Sequence, residues 1–258
     1  MLRPRIIPCL LVRNKGLVKT VKFGPSKYVG DPINAVKIFN EKEADELIVL
    51  DIDATATGSA PDFVMIQKLA AECRMPLCYG GGVKTVEQAK QIIGLGVEKV
   101  AISSAALSDP TLITAIATEI GCQSVVVILD VKKSLFGKYE VYTHNGQKST
   151  GRSPVEFAKQ AEELGAGEIV INSIDLDGQM KGYDLDFAVK VREAVCLPMS
   201  VLGGAGSLAD IEALIHACGV VGAAAGSLFV FKGVYRAVLI NYPSIIERDR
   251  LIRSSLKN

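Results

Sequence analysis

Two glycine runs, Gly80-Gly81-Gly82 and Gly203-Gly204-Ala205-Gly206, each close a short apolar segment, and the next apolar segments end in Ser103-Ser104-Ala105 and Gly226-Ser227. Glycine removes the Cβ that would keep an anion away from the backbone amides, and amides at a helix start favour a phosphate. One glycine pair is explained as well by a tight turn. Two pairs, each followed by a serine-bearing helix start, point to two phosphate cradles, one from Gly81, Gly82, Ser103 and Ser104, the other from Gly203, Gly204, Gly226 and Ser227. The expected ligand is a small molecule with a phosphate at each end.

Five aspartates, Asp51, Asp53, Asp130, Asp175 and Asp177, fall at or just after apolar runs, where a carboxylate can act as general acid or base or simply cap a turn. Asp130 is the strongest catalytic candidate because it ends an otherwise wholly apolar run, Val125-Val126-Val127-Ile128-Leu129. Asp62, Asp109 and Asp184 read as helix caps. The two histidines, His144 and His216, are far apart, and the six cysteines contain no C-x-x-C pair, so neither a metal site, a cofactor nor a catalytic triad is expected. Scattered cysteines among apolar residues, with no signal-peptide pattern ahead of the first strand-like run, fit buried thiols in a cytoplasmic protein. Lysines and arginines total 29 against 28 acids, which provides no field for nucleic acid or an anionic membrane surface.

These groups need a scaffold that brings strand ends together. Strand-length runs at Arg5–Leu11, Glu46–Asp51, Leu77–Tyr79, Lys99–Ile102, Ser124–Asp130, Glu168–Asn172, Met199–Leu202 and Val220–Ala224 alternate with helix-period segments, the pattern of βα units on a parallel sheet. Helix starts stand at Asp31-Pro32, Asp109-Pro110, Ser153-Pro154 and Ser207, and stops at Gly94, Gly121 and Gly165. The chain also repeats itself: Met75-Pro76-Leu77 through Gly82 matches Leu197-Pro198-Met199 through Gly204, with Asp53 paired to Asp175 and Ser104 to Gly226. Eight units written as two halves, in a chain of 258 residues, predict one (β/α)8 TIM barrel, with half-barrels of about 1–120 and 121–258; an open doubly wound sheet would show similar local patterns. In a barrel, ligands bind at the carboxyl ends of the strands, where both cradles and the aspartates lie.

The opposite ends carry a second pattern. Arg5, Glu46, Lys99 and Glu168 each begin a strand, two of each sign. Any one of them is ordinary polarity where a strand meets solvent. Together they can close a neutral ring of salt bridges across the barrel floor.

The segments Arg5–Leu10, Asp45–Ile52, Gly81-Gly82, Val125–Asp130, Gly165–Ile169 and Gly203–Gly206 resemble the cyclase subunit family of imidazole glycerol phosphate synthase, over nearly the whole chain. The resemblance implies a lyase that takes ammonia from a glutaminase docked at the floor, and uses it at the rim to cleave and cyclise a bisphosphorylated precursor of histidine and purine synthesis. It also implies that Arg5, Glu46, Lys99 and Glu168 form the ammonia gate, that Gly82, Ser104, Gly204 and Ser227 sit by the substrate phosphates, and that Lys19 belongs to a mobile first loop. Asp51 and Asp177 are expected beside the same ligand.

The chain departs from that family at the chemistry. Of the family's two catalytic aspartates, Asp130 matches one, while Leu11 stands at the other; overlaying the two halves also sets Leu11 against Asp130. Leu202, Ser103 and Asn172 replace the family's usual serine, asparagine and threonine. Three functions therefore compete: an active cyclase of histidine biosynthesis; a diverged paralogue that activates a glutaminase and passes ammonia to a sugar amidotransferase of acetamidino-sugar, O-antigen or lipopolysaccharide synthesis; and the related two-phosphate sugar isomerase.

Overall fold

Runs dense in Val, Ile and Leu pair into eight parallel strands in a computed structural model that describes residues 3–134 and 136–256. The strands are β1 (Arg5–Arg13), β2 (Leu47–Asp51), β3 (Leu77–Gly80), β4 (Lys99–Ile102), β5 (Val125–Lys133), β6 (Glu168–Ser173), β7 (Met199–Leu202) and β8 (Gly222–Ala225). Each pairs with its sequence neighbours, and β8 pairs with β1, so the sheet closes on itself. Closure removes both edges and decides for the barrel over the open sheet.

Eight helices cover the outside: α1 (Pro32–Glu41), α2 (Phe63–Glu72), α3 (Val86–Gly94), α4 (Thr111–Ile120), α5 (Pro154–Glu163), α6 (Leu185–Arg192), α7 (Leu208–Cys218) and α8 (Ile245–Ser255). Their starts follow the sequence cues: the side chains of Asp31, Asp62, Ser153, Asp184 and Ser207 all accept from the first-turn amides, and Asp109 accepts from Thr111 N at 3.0 Å. Gly94 differs from its expected role. It is the last residue of α3, and the chain turns out through Gly96, whose φ of +97° suits glycine.

Burial on both faces explains why the strands read as unbroken apolar runs. Inward side chains, among them Ile7, Cys9, Ile48, Cys78, Ala101, Val126, Ile128, Val170 and Ala224, fill the barrel, while the alternate set packs under the helices.

The strand limits move where burial and pairing diverge. Glu46 precedes β2, and β8 begins at Gly222, because the first polar residue and the loop Val220 take no part in the ladder. β1 and β5 run past Leu11 and Asp130 to nine residues each, since antiparallel hairpins continue their hydrogen bonding through polar sequence. Gly16–Lys19 pairs with β1 and with Lys27–Gly30, and Tyr139–Thr143 pairs with β5. The first loop contains a hairpin in which Leu17 and Val18 are buried. β1 and β5 face each other across the barrel, so the two hairpins flank the rim from opposite sides.

Candidate functional site

At the carboxyl ends of the strands lies a cavity of about 500 Å³. Lys19, Asp51, Gly81, Gly82, Ser103, Ser104, Asp130, Asp177, Gly203, Gly204, Gly226 and Ser227 all line it, and so does Leu11. Residues from both halves of the chain meet there because every strand of a closed parallel barrel ends on the same face.

The glycine turns are sterically required. Gly81 has φ +124°, and a methyl on it would come within 2.5 Å of the Asp51 carbonyl; Gly204 has φ +112°, and a methyl there would come within 2.1 Å of the Gly182 carbonyl. Ser104 opens the short helix Ser104–Ser108 and Ser227 opens Ser227–Val230. Buried Ser103 Oγ has no hydrogen-bond partner among the described residues. Lys19 is buried, its Nζ donates to the Cys9 carbonyl at 2.7 Å, and it lies where a side chain on Gly226 would sit. Burial lowers its pKa, against the opposing pull of Cys9 and Asp177.

The aspartates divide into two groups. Asp130 is the most perturbed: burial, helped by the charge of Asp177, pushes its carboxyl up to about 6, while the Asn172 side-chain amide, donating at 2.8 Å, works the other way. Burial also raises the Asp51 and Asp177 carboxyls. Asp51 is partly compensated by the amides of Asp53 and Ala54 at 3.1 and 3.2 Å, and Asp177 by Thr20 Oγ1 at 2.7 Å and Phe23 N at 3.2 Å. Asp53 and Asp175, by contrast, are committed elsewhere. Arg13 grips Asp53 through three contacts of 2.7 to 3.0 Å, and Asp175 accepts from Lys133 N at 2.9 Å.

Leu11, on β1 opposite β5, pairs in register with Leu50 on β2, and both line the cavity, as do Leu202 and Ile128. Leu11 can neither take nor give a proton.

Thr20, Phe23, His144 and Asn145 also line the cavity and were not singled out from sequence. His144 and Asn145 have φ of +53° and +55°, and the His144-Asn145-Gly146 stretch between alternating residues was the signal for a hairpin tip reaching the rim.

The floor is a closed circuit. Lys99 Nζ donates to Glu46 Oε1 at 2.7 Å and Glu168 Oε2 at 2.8 Å; Arg5 donates to Glu168 Oε1 at 2.8 Å and also to Glu46. Burial alone would raise the Glu168 carboxyl, but Arg5 and Lys99 outweigh it and hold it down at about 2. Both cations are pushed up in turn, their carboxylate partners overcoming the burial that opposes charge. Ser200, a lone hydroxyl in an apolar strand, was overlooked in the sequence; its Oγ donates to Glu168 Oε1 at 2.5 Å.

The protein-family model described as histidine biosynthesis protein matches residues 5–236. A Vibrio vulnificus protein provisionally named imidazole glycerol phosphate synthase subunit hisF3 is 61% identical over 98% of this chain and 97% of its own length. A Leptospira interrogans protein, provisionally named imidazole glycerol phosphate synthase subunit HisF, is 58% identical over 97% of this chain and 99% of its own. The imidazole glycerol phosphate synthase subunit HisF of Alkaliphilus metalliredigens is 40% identical over 91% of this chain and 93% of its own. With a closed barrel, a cavity lined by two sets of glycine turns at one end and a ring of charge at the other, the chain belongs to the HisF family of imidazole glycerol phosphate synthase cyclase subunits.

Proposed function

We propose that the chain is a cyclase-type, carbon–nitrogen lyase subunit that holds a bisphosphorylated ligand across the rim cavity and receives ammonia through the floor from a docked glutaminase, in the cytoplasm. The observation that carries this reading is the placing of two different charge arrangements at opposite ends of one barrel. The rim offers two amide-rich cradles to anions. The floor offers a neutral, fully paired ring, and between them the interior is apolar, lined by groups such as Cys9, Cys78, Ala101 and Ala224. Ammonia is uncharged and can cross such an interior, whereas ammonium would meet the desolvation cost of an unpaired ion. At the rim, a carboxyl near pH 6 is suited to exchange a proton with a reacting nitrogen or carbon.

Leu11 favours a second reading, in which the barrel is a diverged paralogue that activates the glutaminase and hands ammonia to a sugar amidotransferase of acetamidino-sugar synthesis. Two relatives above 50% identity carry provisional names and one at 40% carries the unqualified HisF name, in keeping with a separate branch. Supplying ammonium salt to the chain with the bisphosphorylated histidine precursor decides between them, because ammonium bypasses the glutaminase. The expected outcome is weak or no formation of imidazole glycerol phosphate by the unmodified chain, with glutaminase stimulation intact; robust turnover would return the chain to histidine biosynthesis. Leu11→Asp should raise turnover only where Leu202, Ser103 and Asn172 still admit that precursor.

A further inference from the structure

Taking the floor as an ammonia gate, we propose that Ser200 is a fifth member of it: a positioning residue whose hydroxyl pins Glu168 and keeps the ring of charges closed. Ser200 is completely buried. Its Oγ donates to Glu168 Oε1 at 2.5 Å and lies 3.4 Å from an Arg5 terminal nitrogen, so it bridges an anion and a cation of the ring without adding charge. Glu168 thereby holds three donor groups, Arg5, Lys99 and Ser200, where Glu46 holds Arg5 and Lys99. Displacing Glu168 would strand a buried hydroxyl as well as two cations. Glu46 is therefore the side of the ring that can give.

The strand register shows why a serine reaches so far. Ser200 on β7, Gly222 on β8 and Arg5 on β1 stand side by side in one row. Gly222 has no side chain, and the serine hydroxyl occupies its place: a methyl there would lie 1.9 Å from Ser200 Oγ and 2.9 Å from Ile7 Cδ1. The pair is mutually dependent. Without the glycine the hydroxyl could not span β8, and without the hydroxyl the floor would be thinnest at that strand.

Cys78 provides a sensor. It points into the barrel, sits opposite Lys99 in the β3–β4 register, is buried, and does not line the rim cavity. The probe is methyl methanethiosulfonate, small and neutral, with modification of each cysteine followed by peptide mass. Ser200→Ala is expected to speed Cys78 modification about tenfold, the scale of losing one hydrogen bond to a charged group, while Cys218, in the core outside the barrel, keeps its rate. Gly222→Ala should displace the hydroxyl and give the same acceleration. If Gly222→Ala does not fold, Ser200→Ala decides alone. An unchanged Cys78 rate in Ser200→Ala, or equal acceleration of Cys78 and Cys218, overturns the proposal. Labelling uses the chain by itself, so a chain that passes this test yet recruits no glutaminase would refute the ammonia reading and leave the pinning intact.

Discussion

At the floor of the barrel Glu168 receives hydrogen bonds from Arg5, Lys99 and Ser200, whereas at the rim Asp130 receives one, from the neutral amide of Asn172. Burial pushes both carboxyls upward. At the floor two cations reverse that push and the carboxyl stays near 2; at the rim nothing comparable opposes it and the carboxyl settles near 6. The same chemical group is thus fixed in one charge state at one end of a strand layer and left able to exchange a proton at the other. Pairing holds one carboxyl ionised, and the lack of pairing leaves the other with a raised proton affinity.

The largest test of this contrast is Asp130→Asn, which keeps the shape and removes the exchangeable proton. It should lower any ammonium-driven turnover at the rim about 10²–10⁴-fold, measured as initial rates under saturating ammonium. A loss of less than threefold, on the order expected for a bystander, would move the acid–base role elsewhere.

Lys99→Ala attacks the floor. It leaves Glu46 and Glu168 short of a cation in a buried place, with an expected cost of about 3–5 kcal/mol in urea unfolding. Glutamine-driven activity in the glutaminase complex should fall more than ammonium-driven activity. Equal falls would indicate damage to the fold rather than to a gate.

The two ends should also respond to pH with opposite sign. Glu168 lies below its ordinary value, so its contribution to stability is present above about pH 4.5 and is lost as pH falls towards 2. Asp130 is raised, so its contribution is present below about pH 3.8 and is lost as pH rises through 6. Asp130→Asn should therefore stabilise the chain at pH 8 relative to pH 4, by about 2 kcal/mol after allowance for solvent reaching the cavity. Urea midpoints of the variant and the unmodified chain at both pH values provide the measurement; a difference that does not change with pH would contradict the assignment.

The smallest expected effect is anion binding. Inorganic phosphate at about ten times its Kd should stabilise the chain by about 1.4 kcal/mol per occupied cradle, read as a rise in Tm. Gly204→Ala should remove one cradle's share, since its methyl would collide with the Gly182 carbonyl. A chain indifferent to phosphate at all concentrations would argue that the cradles are only tight turns.

Much of this was legible before the fold. Apolar runs separated by capped helices, and a half-length repeat, led to eight parallel strands; the glycine pairs and Asp130 were visible because each interrupts or closes such a run. Of the rim hairpins, the second showed only as a polar, hairpin-like stretch around His144, and the first did not show at all. Beyond Leu11 and Asp130 the ladders run through mixed residues such as Lys132 and Lys133, which backbone hydrogen bonds hold without an apolar signature. Ser200 was hidden for a related reason: one hydroxyl in Met199–Leu202 reads as ordinary strand composition until β8 is seen to carry glycine beside it.

By itself, the sequence determined the types of group available and their order: apolar runs of strand length, four of them opening on a charge, with glycines, serines and aspartates after their ends. Period-two alternation and the caps are local properties, and they survive without knowledge of what lies across the barrel. Only the tertiary structure decided which groups meet. Closing β8 onto β1 set Arg5 against Glu168 and Ser200 and put Leu11 and Asp130 on one cavity, while the pairing of β1 with β2 bound Arg13 to Asp53. Charge pairing depends on distances between residues far apart in the chain, and so does the proton affinity of a buried carboxyl, which no local pattern encodes.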